Sequence, residues 1–176
     1  MLEALNQHYQ AFSGEELAKL AVTIGADVPF FLNRRPMIAR GVGEIFTETG
    51  PVVKQLPLVI VNPQFPVSAK WAYQHLDPRR IGPAEDGKFT ALLAGLAAGD
   101  MSKIAENLHN DLEYSLYDKF PLLGILKEFM LAHGGLSVIV SGSGSSLYAV
   151  CPDQDQSRRL AGDLNANFKQ ISIFTP

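Results

Sequence analysis

The sequence predicts an α+β fold, and residues 55–176 predict a ferredoxin-like, split βαβ sandwich with extra helices. Three observations support this. The apolar run Leu58–Val61 is typical of a buried strand. Several helical patterns separate it from two further strands, Leu136–Val140 and Leu147–Val150. A last helix and an alternating segment, Gln170–Phe174, complete the βαβ order.

Residues 1–54 predict a separate unit ahead of that domain. Its best-marked element is a helix from Ser13 to Ile24, because Ser13 and Glu16 have the spacing of a capping box. The other predicted elements are a helix that begins at the first residues and carries Leu2, Leu5, Tyr9 and Phe12 on one face, and short strands at 37–40 and 44–47.

Local signals also place the helices of residues 55–176. Asp100 and Asp153 are suitable N-caps, and Gln156 follows Asp153 by three positions. Pro121 fits a first helical turn. The helices predicted before the second strand are 68–75, 89–96, 100–108 and one from Pro121 that ends at Gly134-Gly135.

Composition argues against several classes of protein. The net charge is −3 and basic residues occur only as scattered pairs, whereas a nucleic-acid partner needs clustered positive charge. The single cysteine, Cys151, cannot form an internal disulfide, and no zinc-ligand spacing occurs, so no metal site is predicted. No apolar run approaches the ~20 residues of a membrane span. These features predict a cytoplasmic protein.

Asp27 is the leading candidate for catalysis. It lies in the segment Gly25–Phe31, between a helix and two aromatic residues, where Gly25 permits a sharp turn and Pro29 restricts the backbone. An aspartate there could simply form a turn. It could also orient a substrate hydroxyl and accept its proton, as in phosphoryl transfer.

The loop Ser141–Ser146 is the leading candidate for binding. Its sequence, Ser-Gly-Ser-Gly-Ser-Ser, suits a plain hairpin connection. It also suits a nest of N–H groups and hydroxyls around a phosphate. The loop does not match the Walker pattern, because no Gly-Lys-Ser/Thr follows.

Aromatic residues near 68–75 are weaker candidates. Trp71 or Tyr73 could stack on a base, although core packing is the default expectation for either. His109 and His133 are isolated, and Asn110-Asp111 is expected to form a cap or a turn.

The order of these motifs is more specific than any one of them. The motifs are Gly25–Phe31 (Gly-Ala-Asp-Val-Pro-Phe-Phe), Gly41–Glu44, Val61–Pro63, Asn110–Glu113, Phe120-Pro121 and Ser141–Ser145. Along nearly the whole chain this series resembles the GHMP kinase superfamily. Within it, the chain is most similar to the branch that phosphorylates a cytidyl-methylerythritol in non-mevalonate isoprenoid biosynthesis.

The resemblance implies transfer of the γ-phosphoryl group of ATP, with Mg²⁺, to the 2-hydroxyl of that substrate. Asp27 matches the family's catalytic aspartate. Ser141, Gly142, Ser143, Gly144 and Ser145 match its third glycine-rich motif, near the phosphates. Tyr73 falls where the family often places an aromatic residue against the cytosine ring.

The chain also departs from the family pattern. The family begins with about a hundred more residues, which carry a lysine that partners the aspartate and a glycine-rich loop that cradles ATP. Residues 1–54 therefore resemble the end of the N-terminal, ATP-binding domain, and 55–176 the C-terminal domain. We expect no turnover from this chain alone. Ser68-Ala69 also replaces the usual Ser-Thr pair.

The same resemblance leaves an apolar surface to be covered. The residues concerned are Leu5, Leu17, Leu20, Phe30 and Phe31. Because a contiguous exposed apolar patch normally finds a partner, we expect either that this chain self-associates through the surface or that its first 50 residues are loosely held.

Other functions remain open at the level of sequence. The chain could belong to a GHMP kinase that acts on mevalonate derivatives, homoserine or a sugar. It could be a non-catalytic binding or assembly module derived from one. An RNA-binding ferredoxin-like domain is disfavoured by the acidic charge balance.

Overall fold

In the computed structural model of this protein, the described residues are 1–25, 27–33, 36–40, 45–49, 51, 55–81 and 86–176. The chain forms two compact units, Met1–Val52 and Val53–Pro176, called unit 1 and unit 2 below. Three parts of the sequence-based predictions lie outside the described residues: Ala26, the turn Gly41–Glu44, and the residue 54 boundary. Within the described ranges, each helix is too short or too polar to cross a lipid bilayer.

Unit 1 contains short helices and one hairpin. Its elements are α1 (Leu2–Tyr9), α2 (Gly14–Ile24), α3 (Phe30–Asn33), β1 (Met37–Arg40) and β2 (Ile45–Thr49). The predicted capping box is confirmed, since Ser13 accepts from the Glu16 N–H and Glu16 accepts from the Ser13 N–H. β1 pairs with β2 in an antiparallel two-stranded sheet.

The first helix is shorter than its apolar spacing predicts. It ends at Gln10, which has a left-handed backbone (φ 49°). The Asn6 side chain then exchanges hydrogen bonds with the N–H and C=O of Phe12, both 2.9 Å long. Phe12 therefore lies in a turn rather than on the helix, because a side chain replaces the helical backbone partner.

Unit 2 carries a four-stranded sheet and six helices among its described residues. Its strands are β3 (Leu58–Asn62), β4 (Ser137–Val140), β5 (Leu147–Val150) and β6 (Ser172–Phe174). Its helices are α4 (Ala69–Gln74), α5 (Asp86–Ala98), α6 (Met101–Asn107), α7 (Glu113–Lys119), α8 (Pro121–Ala132) and α9 (Gln154–Asn167).

The sheet has the topology of a split βαβ fold. Its strand order is β4-β5-β3-β6, and all three pairings are antiparallel. β3 and β4 consequently run parallel with β5 between them, and α9 connects β5 to the edge strand β6. The predicted ferredoxin-like arrangement with inserted helices is therefore confirmed.

The core of unit 2 forms where helices cover this sheet. α8 packs on β4 and β5, while α9 packs on β3 and β6. The largest fully buried side chains include Leu116, Leu123, Leu126, Met130, Leu147, Leu160 and Leu164. Asp100 and Asp153 cap α6 and α9 as predicted, through bonds of 3.0 and 2.7 Å to Lys103 and Gln156 N–H groups.

Helix α7 was not predicted from the sequence. It has seven residues, begins without a side-chain cap, and buries one apolar residue, Leu116. Its C-cap, Phe120, directly precedes Pro121, the first residue of α8. A helix this short gives little periodicity, so its position depends on packing against α8 rather than on a local signal.

The apolar surface predicted for unit 1 is partly covered. Leu17 is buried, which corrects the expectation that it needs an outside partner. Leu5, Phe30 and Phe31 are exposed, with Phe31 at 70% of its surface. The list of exposed large apolar residues in the described part of unit 1 also includes Tyr9, Phe12, Val22, Ile24 and Ile45.

Candidate functional site

The loop Ser141–Ser146, called the Ser/Gly loop below, joins β4 to β5 in unit 2. Ser141 N–H donates to the Ser146 carbonyl (2.8 Å), and Gly144 N–H donates back to the Ser141 carbonyl (3.0 Å). Gly142 and Gly144 have φ values of 56° and 83°, a region that other residues rarely adopt. The glycines therefore permit the tight turn that brings successive peptide groups around one point.

Two N–H groups of the loop are left without a protein partner. Within the part of the chain that the structure describes, neither Gly142 nor Ser143 donates its backbone N–H to another group. Gly142 is exposed and Ser143 is half-buried. Adjacent N–H groups in a glycine turn form a concave donor site that suits an anionic oxygen.

Ser145 differs from the other serines of the loop. It is buried, and its hydroxyl donates to the Phe65 carbonyl at 2.6 Å. That bond ties the loop to the segment between β3 and α4. The Ser145 hydroxyl consequently has a structural partner, whereas Ser141 is exposed at the mouth of the loop.

The loop is also held by the turn between α6 and α7. The Asn110 amide group donates to the carbonyls of Val140 and Gly142, both at 2.8 Å. Its oxygen accepts from the Leu112 N–H at 3.0 Å, so Asn110 forms the turn predicted for it. Sequence reasoning did not predict the bonds to the loop, because about thirty positions separate the partners.

Glu113 supports the same strand end. Its Oε1 atom accepts from the Val140 N–H at 2.8 Å and from the Tyr117 hydroxyl, and its Oε2 atom pairs with Lys127 Nζ at 3.0 Å. The Glu113 side chain is 14% exposed. Burial, followed by the hydrogen bond and charge of Glu113, raises the pKa of Tyr117 above its usual value, so this hydroxyl stays protonated and donates.

The two aromatic candidates for base stacking, Trp71 and Tyr73, both lie on helix α4 but have different surroundings. Trp71 is packed: Lys119 Nζ lies 4.0 Å from its ring centroid, and the His75 ring stacks on it at 4.3 Å. Tyr73 is 67% exposed. Residues two apart on a helix do not face each other, so Tyr73 points away from the Trp71 cluster. Tyr73 is thus the aromatic ring of α4 that remains available to a ligand.

Asp27 lies in the turn that links α2 to α3 in unit 1. The Val28 N–H donates to the Gly25 carbonyl at 3.1 Å, and the Leu32 N–H donates to the Pro29 carbonyl at 3.1 Å, which defines the turn. Asp27 is exposed, and its carboxylate has no partner among the described residues. Asp27 therefore belongs to unit 1, whereas the Ser/Gly loop belongs to unit 2.

The remaining titratable candidates have local partners. His109 Nε2 lies 2.6 Å from Asp111 Oδ1, and His133 Nδ1 lies 2.8 Å from the Phe129 carbonyl. Among the described residues, no three His, Cys, Asp or Glu side chains lie close enough together to hold a metal ion.

The C-terminal part of the chain matches a known protein family. Residues 92–170 match a family model described as GHMP kinases C terminal. This range runs from within α5 to beyond the end of α9, and so contains α6, α7, α8 and the whole hairpin that carries the Ser/Gly loop.

A curated relative matches over most of the chain. The 4-diphosphocytidyl-2-C-methyl-D-erythritol kinase of Syntrophotalea carbinolica is 37% identical over 157 residues, which is 88% of this chain and 52% of the relative. The chain therefore spans about half the length of this relative.

Solved structures give the same comparison in three dimensions. A crystal structure of 4-(cytidine 5'-diphospho)-2C-methyl-D-erythritol kinase superposes with a TM-score of 0.78 at 34% identity, covering 98% of this chain and 60% of that protein. Homoserine kinase from Cytophaga hutchinsonii superposes with a TM-score of 0.75 at 21% identity, covering 97% of this chain and 60% of its own. The second likeness shows a shared fold alone.

The hydrogen bond from Ser145 to Phe65 is expected to stabilise the fold. Ser145→Ala should lower the free energy of unfolding by about 1–2 kcal/mol, because the Phe65 carbonyl loses its donor. Ser141→Ala is the matched control and should change it by less than about 0.5 kcal/mol, since Ser141 is exposed. Urea unfolding of both variants measures the difference. Equal midpoints would show that the bond to Phe65 contributes no stability.

Proposed function

We propose that this chain, which belongs to the GHMP kinases through its C-terminal domain, is part of an ATP-dependent kinase that phosphorylates the 2-hydroxyl of 4-diphosphocytidyl-2-C-methyl-D-erythritol. The observation that carries the proposal is that the N–H groups of Gly142 and Ser143 have no acceptor among the residues the structure describes, in a loop whose shape other residues hold. The names of the relatives support the choice of substrate.

The first step of the proposed mechanism is binding of phosphate by the Ser/Gly loop. The N–H groups of Gly142 and Ser143 would donate to phosphate oxygens, with the exposed Ser141 hydroxyl beside them. Donors that are already oriented lose little reorganisation energy when negative charge develops on the transferring group. The Ser145 hydroxyl already donates to the Phe65 carbonyl, so Ser145 would contribute only its backbone N–H to phosphate binding.

The second step is activation of the acceptor hydroxyl by Asp27. The hydroxyl oxygen forms a bond to the γ-phosphorus as the bond from that phosphorus to the bridging oxygen breaks, and ADP leaves. The hydroxyl proton passes to the Asp27 carboxylate late in the transfer. An exposed carboxylate without a partner among the described residues is free to accept it.

The third part is recognition of the cytosine ring. Tyr73 presents an exposed ring on α4, and base–aromatic stacking suits such a platform. Trp71 is not proposed for this role, because Lys119 and His75 already cover its ring.

The cofactors and location follow from the same proposal. ATP would supply the phosphoryl group, and its Mg²⁺ would neutralise phosphate charge. No side chain is assigned to the ion.

We assign residues 1–54 to the end of the ATP-binding domain and 55–176 to the C-terminal domain. We place the reaction in the cytoplasm, where a free thiol such as Cys151 stays reduced.

Self-association of this chain is a further part of the proposal. Ile24 and Phe31 are 59% and 70% exposed in unit 1, together with the neighbouring apolar residues described above. Exposed apolar side chains of this size favour association.

Asp27→Asn tests the catalytic step. The chain can be fused to the half of the Syntrophotalea carbinolica kinase that it does not match, and ATP-dependent phosphorylation measured. We expect kcat to fall about 100-fold or more, with little change in KM, because a positioned general base is lost while contacts to the bound substrate remain. Asp155→Asn is the control, because Asp155 pairs with Arg158 on the exposed face of α9. A kcat equal to that of the unmodified fusion would remove Asp27 from the mechanism.

Tyr73→Ala tests the cytosine platform. Calorimetric titration of the chain with cytidine diphosphate should show binding roughly tenfold weaker for Tyr73→Ala, and nearly unchanged for Tyr73→Phe. Tyr114→Ala is a matched control, because Tyr114 is an exposed tyrosine that contacts Arg80 instead. An equal loss at both tyrosines, or none at Tyr73, would contradict the assignment.

Sedimentation velocity tests self-association. The sedimentation coefficient should rise with concentration, and replacing Ile24 and Phe31 together by serine should abolish that rise. Phe174→Ser, at an exposed phenylalanine of unit 2, should leave it unchanged. A monomer at every concentration would refute the proposal.

A further inference from the structure

The outer edge of β4 carries two backbone groups that need partners. β4 is an edge strand of the four-stranded sheet, and Val140 is its last residue. The next residue, Ser141, directs its N–H towards β5 and bonds to Ser146. Successive residues of an antiparallel strand point their backbone groups to opposite sides, so the N–H and C=O of Val140 point outwards. Edge groups of this kind normally pair with water or another strand.

Side chains take the place of that missing strand. The Glu113 carboxylate accepts from the Val140 N–H, and the Asn110 amide donates to the Val140 carbonyl, each at 2.8 Å. Val140 is 2% exposed, so water has little access to it. Both residues come from the turn that begins α7, and both contact the strand at Val140, the residue before the Ser/Gly loop.

The Asn110 amide also controls a peptide group inside the loop. It donates to the Gly142 carbonyl at 2.8 Å. That carbonyl and the Ser143 N–H belong to one planar trans peptide, in which the two groups point in opposite directions. Holding the Gly142 carbonyl towards Asn110 therefore turns the Ser143 N–H away from Asn110, to a side where none of the described residues accepts from it.

A second peptide of the loop is held from within. The Ser141 carbonyl accepts from the Gly144 N–H at 3.0 Å, and so the Gly142 N–H points out of the turn for the same reason. The two unpartnered donors thus have separate controls: Gly142 depends on the loop's own hydrogen bond, and Ser143 depends on Asn110.

We infer that Asn110 and Glu113 are positioning residues, which hold the end of β4 and, through Asn110, aim the Ser143 N–H at the phosphate of the proposed kinase. The inference rests on the proposed function for the identity of the ligand. The geometry of the loop without ligand does not depend on it, so the two can be tested apart.

Asn110→Asp is the most selective substitution for testing this role. It keeps the side-chain shape and the acceptor for the Leu112 N–H, but it replaces two donor bonds by a carboxylate oxygen facing two carbonyls. Asn167→Asp is the matched control, because Asn167 is exposed at the end of α9 and also donates its amide to a backbone carbonyl, that of Asp163 in the same helix.

Amide NMR of the ¹⁵N-labelled chain without ligand tests the positioning. In Asn110→Asp, the Ser143 amide signal should move strongly, while the protected amides of β5 keep their signals. In Asn167→Asp, the Ser143 signal should stay in place. An unmoved Ser143 signal in Asn110→Asp, with the sheet intact, would overturn the inference.

Titration with MgATP then tests the consequence for binding. We expect the Gly142 and Ser143 amides to shift in the unmodified chain, and the dissociation constant of Asn110→Asp to be roughly tenfold higher, as for loss of one hydrogen bond to a charged group. In that variant the shift at Ser143 should be lost and the shift at Gly142 kept. Equal dissociation constants would overturn the inference. No shift in the unmodified chain would count against the proposed function instead, and the ligand-free measurement would still decide the role of Asn110.

The unmodified chain provides a test that needs no substitution. Both side-chain amide protons of Asn110 are predicted to be protected from exchange, because each bonds to a carbonyl, whereas those of Asn167 should exchange much faster. If the variant fails to fold, equal exchange rates at these two side chains would overturn the inference, and protection at Asn110 would support it.

Discussion

The backbone groups of Val140 link the architecture of unit 2 to its candidate site. This residue ends an edge strand, is buried, and has an N–H and a C=O that pair with no strand among the described ranges. An unpaired buried backbone group costs about as much as a lost hydrogen bond, so the fold must supply partners there. Glu113 and Asn110 supply them from α7 and the turn before it.

That constraint explains why a glycine-rich loop can be ordered without binding anything. A short turn rich in glycine loses much backbone entropy when it adopts one shape. Here the shape is held from two sides, by Asn110 at the Gly142 carbonyl and by Ser145 at the Phe65 carbonyl. The N–H groups of Gly142 and Ser143, which donate to none of the described residues, are therefore held in one orientation by the rest of the loop.

Partial burial of the Glu113 carboxylate carries a desolvation cost, which contacts with neighbouring groups offset. A carboxylate at 14% exposure loses most of its hydration, but it gains Lys127, the Tyr117 hydroxyl and the Val140 N–H. The pKa of Tyr117 rises through burial and through this carboxylate, which keeps the phenol a donor. The network joins α7, α8 and β4, so the helix that the sequence did not predict supplies the carboxylate that connects these three elements.

By itself, the sequence determined the fold class, the order of the strands, the helices other than α3 and α7, and the caps at Ser13, Asp100 and Asp153. These features depend on apolar period and on groups three or four residues apart, which are visible in one dimension. The tertiary structure decided which side chains act together. Trp71 and Tyr73 are equivalent as aromatic residues of one helix, until packing covers one and leaves the other exposed. Asn110 reads as a turn residue until the sheet closes and brings the Val140 and Gly142 carbonyls to its amide, because that contact joins positions about thirty residues apart.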